Sequence, residues 1–361
     1  MDLYNFDFEA IEDLSYLFYG CNSLTSINLS YINTFSTTNM EYMFYGCNSL
    51  IELNLKDWIT SSVLNINSMF YDCISLISLD LSNFDTSLVT NMKDMFYNCI
   101  KITSINLNNF NTENVKDFQS IFGGCISLLS LNLFSFETFN ALNMQSMFYN
   151  CKKLTLLDLS NFNTQNTIKM DSMFFGCSNL AYINFKNYND KSLTNIQNMF
   201  LETPDNLIIC INNIKDKLNK EMILSELYKL KCPSLDCSDN WEKNKKKIIY
   251  SNGNCIDNCK NESYKYEYDF YCYEECPIGT HTTKNNKYLC EKNIDKCLKK
   301  TLYINIEDNS CLNDCNSIDF FNEKCTLNEH NSEGYNILVN NIIKDIKNNS
   351  LNQLISNVLN E

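Results

Sequence analysis

MFYDCISLISLDLSNFDTSLVTNMKD, residues 69–94, is one period of a pattern that runs without a slip. Its cysteine, Cys73, has counterparts at Cys21, Cys47, Cys99, Cys125, Cys151 and Cys177, each 26 residues from the next. Three residues before each stands a phenylalanine, from Phe18 to Phe174, and three after stands Leu24, Leu50, Leu76, Ile102, Leu128, Leu154 or Leu180. Positions six and eight after the cysteine are apolar, as in Leu79 and Leu81, and the eleventh is aromatic or Ile, as in Phe84. Only a stack of coils needs the same residue at the same point of every coil, so the chain is a solenoid.

Within one period, Leu76 to Leu81 alternates as a strand with one buried face. Met92, Met95, Phe96 and Cys99 fall at i, i+3, i+4 and i+7, the stripe of a short helix, with Thr90 or Asn91 as its capping residue. Ser82–Thr86 lies between as a polar turn with one aromatic plug. Strand, turn and short helix in 26 residues predict an α/β solenoid, a right-handed leucine-rich-repeat stack, over residues 1–203. About seven coils at ~4.8 Å each make a stack on the order of 30 Å long.

Three stretches carry a resemblance: MFYGCNSLIELNLKDW (43–58), MFYDCISLISLDLSNFDTS (69–87) and MFYNCKKLTLLDLSNFNTQ (147–165). They resemble the BspA-type leucine-rich-repeat surface proteins, whose repeat reads M-F-x-x-C-x-x-L-x-x-L-D-L-S-x-F-D-T. The resemblance covers about residues 5–200 and implies a cell-surface location and adhesion or recognition of a protein or glycan, a host surface among the candidates. It names no ligand.

Beyond the cysteine ladder the register persists, with Thr203 in the cysteine's place and Ile209, Ile211 and Ile214 on the apolar positions. Residues 204–231 are expected to form a C-terminal cap of strand plus helix, the helix over Lys215–Lys231, which Cys210 and Cys232 bracket and are able to staple. Residues 232–327 form a cysteine-rich domain with C-x3-C pairs Cys255/Cys259, Cys272/Cys276 and Cys311/Cys315, and with Cys232, Cys237, Cys290, Cys297 and Cys325. Few aliphatic residues occur there, so cross-links or metal must hold the fold. The stretch CYEECPIGTHTT (272–283) resembles furin-like cysteine-rich ectodomain modules over about 30 residues. Residues 328–361 read as a linker and an amphipathic helix with Leu338, Ile342, Ile346, Leu351, Leu354 and Val358 on one face.

Composition excludes several functions. Residues 1–209 hold 20 acidic residues against 9 lysines, a sign that disfavours nucleic acid and anionic membrane. No run of 18 apolar residues suggests a membrane span, and no basic-then-apolar leader precedes the first coil, which starts halfway through a period. We therefore expect a signal and an anchor to lie outside the sequence. Only His281 and His330 occur, both outside the repeats, and no phosphate-cradling glycine loop or metal-protease motif is present. The chain is expected to be no enzyme and to need no cofactor.

The repeat thiols Cys21, Cys47, Cys73, Cys99, Cys125, Cys151 and Cys177 are expected to be buried and free, because parallel Cβ vectors one coil apart cannot form a disulfide. The twelve remaining cysteines, an even number, are expected to pair as disulfides rather than to ligate zinc with His281. The Asn/Asp row at Asn28, Asn54, Asp80, Asn106, Asn132, Asp158 and Asn184 is expected to hydrogen-bond along the stack, and the Thr row from Thr34 to Thr164 to bond in turns. Ligand information resides where exposed positions differ between copies. On the strand face these are Glu52, Lys56, Phe134, Leu156, Tyr182 and Lys186, the candidate binding residues. The expected function is surface recognition or adhesion; the alternative is an intracellular scaffold with a zinc-binding tail.

Overall fold

The computed structural model describes residues 11–29, 34–211, 221–249, 251–259, 265–268, 270–277, 280–282, 288–292, 303–305, 311–312 and 325–327. The chain divides into two compact units, Met1–Lys246 and Lys247–Glu361.

The first unit is a parallel-strand β-solenoid of about seven turns, followed by a cap. Short strands β1 (Ser78–Asp80), β2 (Ser104–Asn106), β3 (Leu156–Asp158) and β4 (Tyr182–Asn184) line one face, pairing in register so that Leu79 meets Ile105 and Leu157 meets Ile183. A second ladder of parallel bridges runs from Asp13 through Asn39, Asn65, Asn91, Asp117, Asn143 and Lys169 to Asn195.

Each coil bends where an Asn or Asp side chain accepts the N–H two residues on, an Asx turn. In one coil the acceptors are Asp80 (from Ser82, 3.0 Å), Asp85 (from Ser87, 3.0 Å) and Asn91 (from Lys93, 2.9 Å). The row that includes Asp80 therefore makes local bends and also links along the stack, where Asn106 bonds the Asp80 carboxylate and Asn132 donates to Asn108 at 3.1 Å. The Thr row does the reverse of what its turn position suggests. Thr60 Oγ1 donates to Asp85 O at 3.0 Å and accepts from Asp85 N at 2.8 Å, and so ties each coil to the next. Thr112 does the same with Glu137.

The expected short helix is absent, and the leucine-rich α/β layout with it. Across Asn91–Cys99 the N–H groups alternate in purpose. Met92, Asp94, Phe96 and Asn98 donate to the next coil's carbonyls (Asp117, Gln119, Ile121 and Gly123), while Met95, Tyr97 and Cys99 donate three residues back within the coil. A helix would send all of them four residues back. Left-handed residues at Asp94 (φ 54°) and Asn98 (φ 60°) impose the alternation, and Ser68 with Asp72, or Ser146 with Asn150, repeat it. Asn, Asp and Gly tolerate that conformation and are poor helix formers, whereas the Met-Met-Phe-Cys stripe is common to both structures.

The stripe packs a core that continues from coil to coil. Phe18, Phe44, Phe70, Phe96, Phe122, Phe148, Phe174 and Phe200 stack with ring centroids 5.3–5.8 Å apart and nearly parallel planes. Each ladder thiol donates to the carbonyl of the preceding coil's Phe, from Cys47 on Phe18 at 3.2 Å to Cys177 on Phe148 at 3.0 Å. Cys47 through Cys177 are free and fully buried; Cys21, expected to be buried, is partly exposed.

The stack ends by substitution at the repeated positions. Thr203 turns its hydroxyl to Phe200 of its own coil at 2.7 Å instead of the coil before. Asp190, in the Thr row, accepts Met222 N of helix α1 (Glu221–Leu227), which buries Ile223 and Leu227 on the last coil. Strand β5 (Ile208–Cys210) extends the sheet and pairs with β6 (Ser234–Leu235). The staple is Cys210–Cys237, not the Cys210–Cys232 pairing that brackets the cap in sequence. Helix α2 (Trp241–Asn244) lays Trp241 on Tyr182, centroids 4.7 Å apart. Residues 212–220 lie outside the described residues, and so does most of the expected Lys215–Lys231 helix before α1.

The second unit is small and irregular. Strands β7 (Lys247–Ile249), β8 (Cys255–Ile256), β9 (Tyr266–Tyr268) and β10 (Tyr271–Tyr273) form one sheet, and β11 (Thr280–Thr282) pairs with β12 (Cys290–Lys292). Strand β13 (Tyr303–Asn305) lies between β14 (Cys311–Leu312) and β15 (Cys325–Leu327). Cys259–Cys272 and Cys276–Cys290 cross-link the unit, with Cys272 and Cys290 buried. Lys247 is also buried; Glu267 at 2.6 Å and the Phe270 ring at 4.5 Å compensate its charge. The sulfur pairing of Cys297, Cys311, Cys315 and Cys325 and the expected terminal helix over 328–361 lie outside the described residues.

Replacing Phe96 by Ala should cost about 3–5 kcal/mol, because it empties a slot between two stacked rings. Tyr97, off the core stripe, stacks on Tyr71 at 4.8 Å but is only half-buried. Its replacement by Ala should cost about 1 kcal/mol. Equilibrium urea unfolding of both variants checks the ratio; equal costs would show that the stripe has been placed on the wrong face.

Candidate recognition surface

The six strand-face candidates do not form one patch. Leu156 and Tyr182 are direct register partners across β3 and β4, while Glu52 and Lys56 belong to a coil far up the stack. Phe134 is the most exposed large apolar side chain described, at 87 %, and Leu156 is half-exposed at 50 %. Tyr182 is already engaged, its ring lying on Trp241. Lys186 is partly exposed and Glu52 and Lys56 are exposed. Phe134 and Leu156 thus remain as the free apolar contacts of this face.

Sequence reasoning missed two other varied rows. Four residues after the cysteine, Ile51, Ile77 and Leu129 are about half-exposed, and seventeen after it so are Leu64 and Leu142, with Ile168 somewhat less so. The signal was present: these positions are Thr in most other coils, as at Thr25, Thr103, Thr38 and Thr90, so copies differ there as they do on the strand face.

The polar groups on the opposite side are occupied in holding the coils. Glu41 accepts from Asn65 and Asn67, both at 2.9 Å, and Asp72 accepts from Asn98 at 2.6 Å. Burial raises the Asp94 carboxyl above its usual range, with Lys93 and Ser120 opposing the shift. No nucleophile and base are brought together there, and among the described residues no three His, Cys, Asp or Glu side chains converge to hold a metal. His281 lies on β11.

The thiol ladder is chemically quiet for a physical reason. Burial in an apolar core pushes the Cys47, Cys125 and Cys177 thiols up to about 12 from 9.0, and Cys73, Cys99 and Cys151 well above 9.0. The thiolate is the reactive form, so these groups stay inert near neutral pH. By contrast, eight cysteines beyond the ladder are disulfide-bonded: Cys210, Cys232, Cys237, Cys255, Cys259, Cys272, Cys276 and Cys290. Bonds of that kind belong to an oxidising compartment.

A group whose folded pKa is raised stabilises the fold fully below its unfolded pKa and loses that contribution as pH climbs to the folded value. For the ladder thiols the window is pH 9 to about 12, and Tyr71, which burial also raises to about 12 from 10.0, adds to it. Stability should therefore be flat around neutrality and fall steeply above pH 9. In Cys125→Ala the fall should be shallower by one thiol's share. Urea midpoints measured from pH 7 to 11 check this, and an unchanged slope in the variant would refute the assignment.

Three overlapping stretches, residues 1–103, 75–179 and 129–206, match the family model described as "Mycoplasma protein of unknown function, DUF285". Neither the curated proteins nor the solved structures contain a match. The matched stretches together run over residues 1–206, more than half of the 361-residue chain and nearly all of the solenoid. The chain belongs to this family, the Mycoplasma proteins of unknown function, DUF285.

Proposed function

We propose that the solenoid is a non-enzymatic recognition module of a cell surface, an adhesin-like array that binds a protein or glycan through its strand face. One contrast carries this reading. Core positions such as Phe70, Phe96 and Phe122 are the same in every copy and fully buried, whereas Phe134 and Leu156 interrupt a face where most other copies carry Ser or Asn. Exposed apolar side chains on a polar sheet are typical contact anchors. The resemblance of the repeat to BspA-type leucine-rich-repeat surface proteins supports the same reading, as do the disulfides outside the ladder. Among the described residues no helix is long and apolar enough to cross a membrane.

Two measurements test it. Alkylation of the unfolded, unreduced protein followed by mass mapping should label the seven ladder cysteines and spare Cys255, Cys259, Cys272 and Cys276. Labelling of those four, with release of stoichiometric zinc, would replace the surface reading by an intracellular zinc-binding scaffold. The second compares attachment of the purified chain to cells before and after Phe134→Ser with Leu156→Ser. Attachment should be lost with the melting temperature unchanged; retention would move the contact surface elsewhere. Tyr182 is left intact because its loss would disturb the cap through Trp241.

A further inference from the structure

A shallow depression of about 510 Å3 opens on a different face, across the later coils. Its spine is the row seventeen residues after each cysteine: Lys116, Leu142, Ile168 and Thr194. These four are in register, since Leu142 N donates to Lys116 O at 2.9 Å, Ile168 N to Leu142 O at 2.8 Å and Thr194 N to Ile168 O at 2.9 Å. One side is edged by Asn140 and Asn166. Each amide gives one N–H to the preceding coil, Asn140 to Glu113 O and Asn166 to Phe139 O, both at 2.8 Å. Each retains its second N–H and its carbonyl oxygen, and among the described residues no donor meets either oxygen.

We propose that this depression is a binding subsite for an acidic saccharide. The chemistry of each wall fits one part of such a ligand. Leu142 and Ile168 are exposed at 41 % and 38 % and offer an aliphatic floor to the C–H face of a sugar ring. The two amide oxygens and Thr194 Oγ1, which already donates to Ile168 O at 3.2 Å, are acceptors one coil apart for sugar hydroxyls. Lys116 is exposed, has no ion-pair partner among the described residues, and stands at the end of the row as the counter-charge for a sugar carboxylate. The volume is that of an ordinary small-ligand site. Side-chain amides that both donate and accept suit sugar hydroxyls, which do both at one atom. The composition is also local: the same row reads Thr38, Leu64 and Thr90 in earlier coils, with no cation.

The subsite lies apart from Phe134 and Leu156 and does not depend on the strand-face reading. The test titrates the full chain with a hyaluronan tetrasaccharide and with uncharged chitotetraose, followed by ligand-observed NMR and calorimetry. The acidic tetrasaccharide should bind and the neutral one should bind about fivefold more weakly, as should the acidic one to Lys116→Gln. Leu142→Ser with Ile168→Ser should abolish binding of both at an unchanged melting temperature. Phe134→Ser with Leu156→Ser should leave binding intact, so that failure here and failure of the strand-face reading are told apart. Equal binding of the two tetrasaccharides, indifference to Lys116→Gln, or no binding at millimolar ligand would overturn the proposal. Preference for an oligoglutamate peptide over both sugars would instead make the depression a protein contact.

Discussion

The carbonyls of Phe18, Phe44, Phe70, Phe96, Phe122 and Phe148 each accept two hydrogen bonds, and the stack depends on that pairing. Phe44 O takes the N–H of Cys47 in its own coil at 3.1 Å and the thiol of Cys73 in the next at 3.2 Å. One bond closes the turn and the other joins two coils. Few side chains suit the second role. The group must be small and apolar enough for a fully buried slot, yet must donate to a carbonyl whose second lone pair would otherwise be stranded. Serine would carry a stronger donor at a higher desolvation cost, and alanine would leave the oxygen with one partner. A strict 26-residue cysteine period follows from that double demand, and the inertness of the thiols follows from their burial.

The remaining ladders make the same compromise between a coil's own needs and its neighbour's. Thr60 both gives and takes across the gap, Met92 and Phe96 donate outward while Met95 and Cys99 donate inward, and the phenyl rings stack face to face. Each coil leaves its alternate N–H groups unmet until the next coil arrives. Hydrogen bonding, not only apolar burial, therefore makes the array cooperative. The cap is the complement of this rule: Asp190 and Thr203 redirect their polar atoms to local partners, and no further coil is required.

The solenoid, its register and its core were legible because a periodic apolar pattern has few readings. Helix and turn chain were not separable by that pattern, since both place Met92, Met95, Phe96 and Cys99 on one side. The distinguishing signal was the polar pair between them. Gly, Asn or Asp at the residue before nearly every cysteine, as at Gly46, Asp72 and Asn98, marks left-handed backbone and rules out a helix. Of the proposed contact residues, Phe134 and Leu156 were legible from variation between copies. The engagement of Tyr182 was not, because Trp241 lies far along the chain and no periodic pattern links them. The Cys210–Cys237 bond escaped for a similar reason: spacing constrains which cysteines are near in sequence, not which the cap brings together.

Among the described residues the cap meets the last coil through Asp190, Tyr182 and Cys210, and the inner coils present repeated ladders to their neighbours. A cassette of 26 residues copied into or cut from the middle of the array would therefore preserve the repeated ladders. Array length is free to change by whole coils, each step changing the length of the stack by about 5 Å. Exposed apolar side chains such as Phe134, Leu156, Leu142 and Ile168 drift independently of length, since those side chains take no part in the ladders. A lineage carrying such a gene can alter how far it reaches and what it touches as two separate heritable traits, with folding indifferent to both.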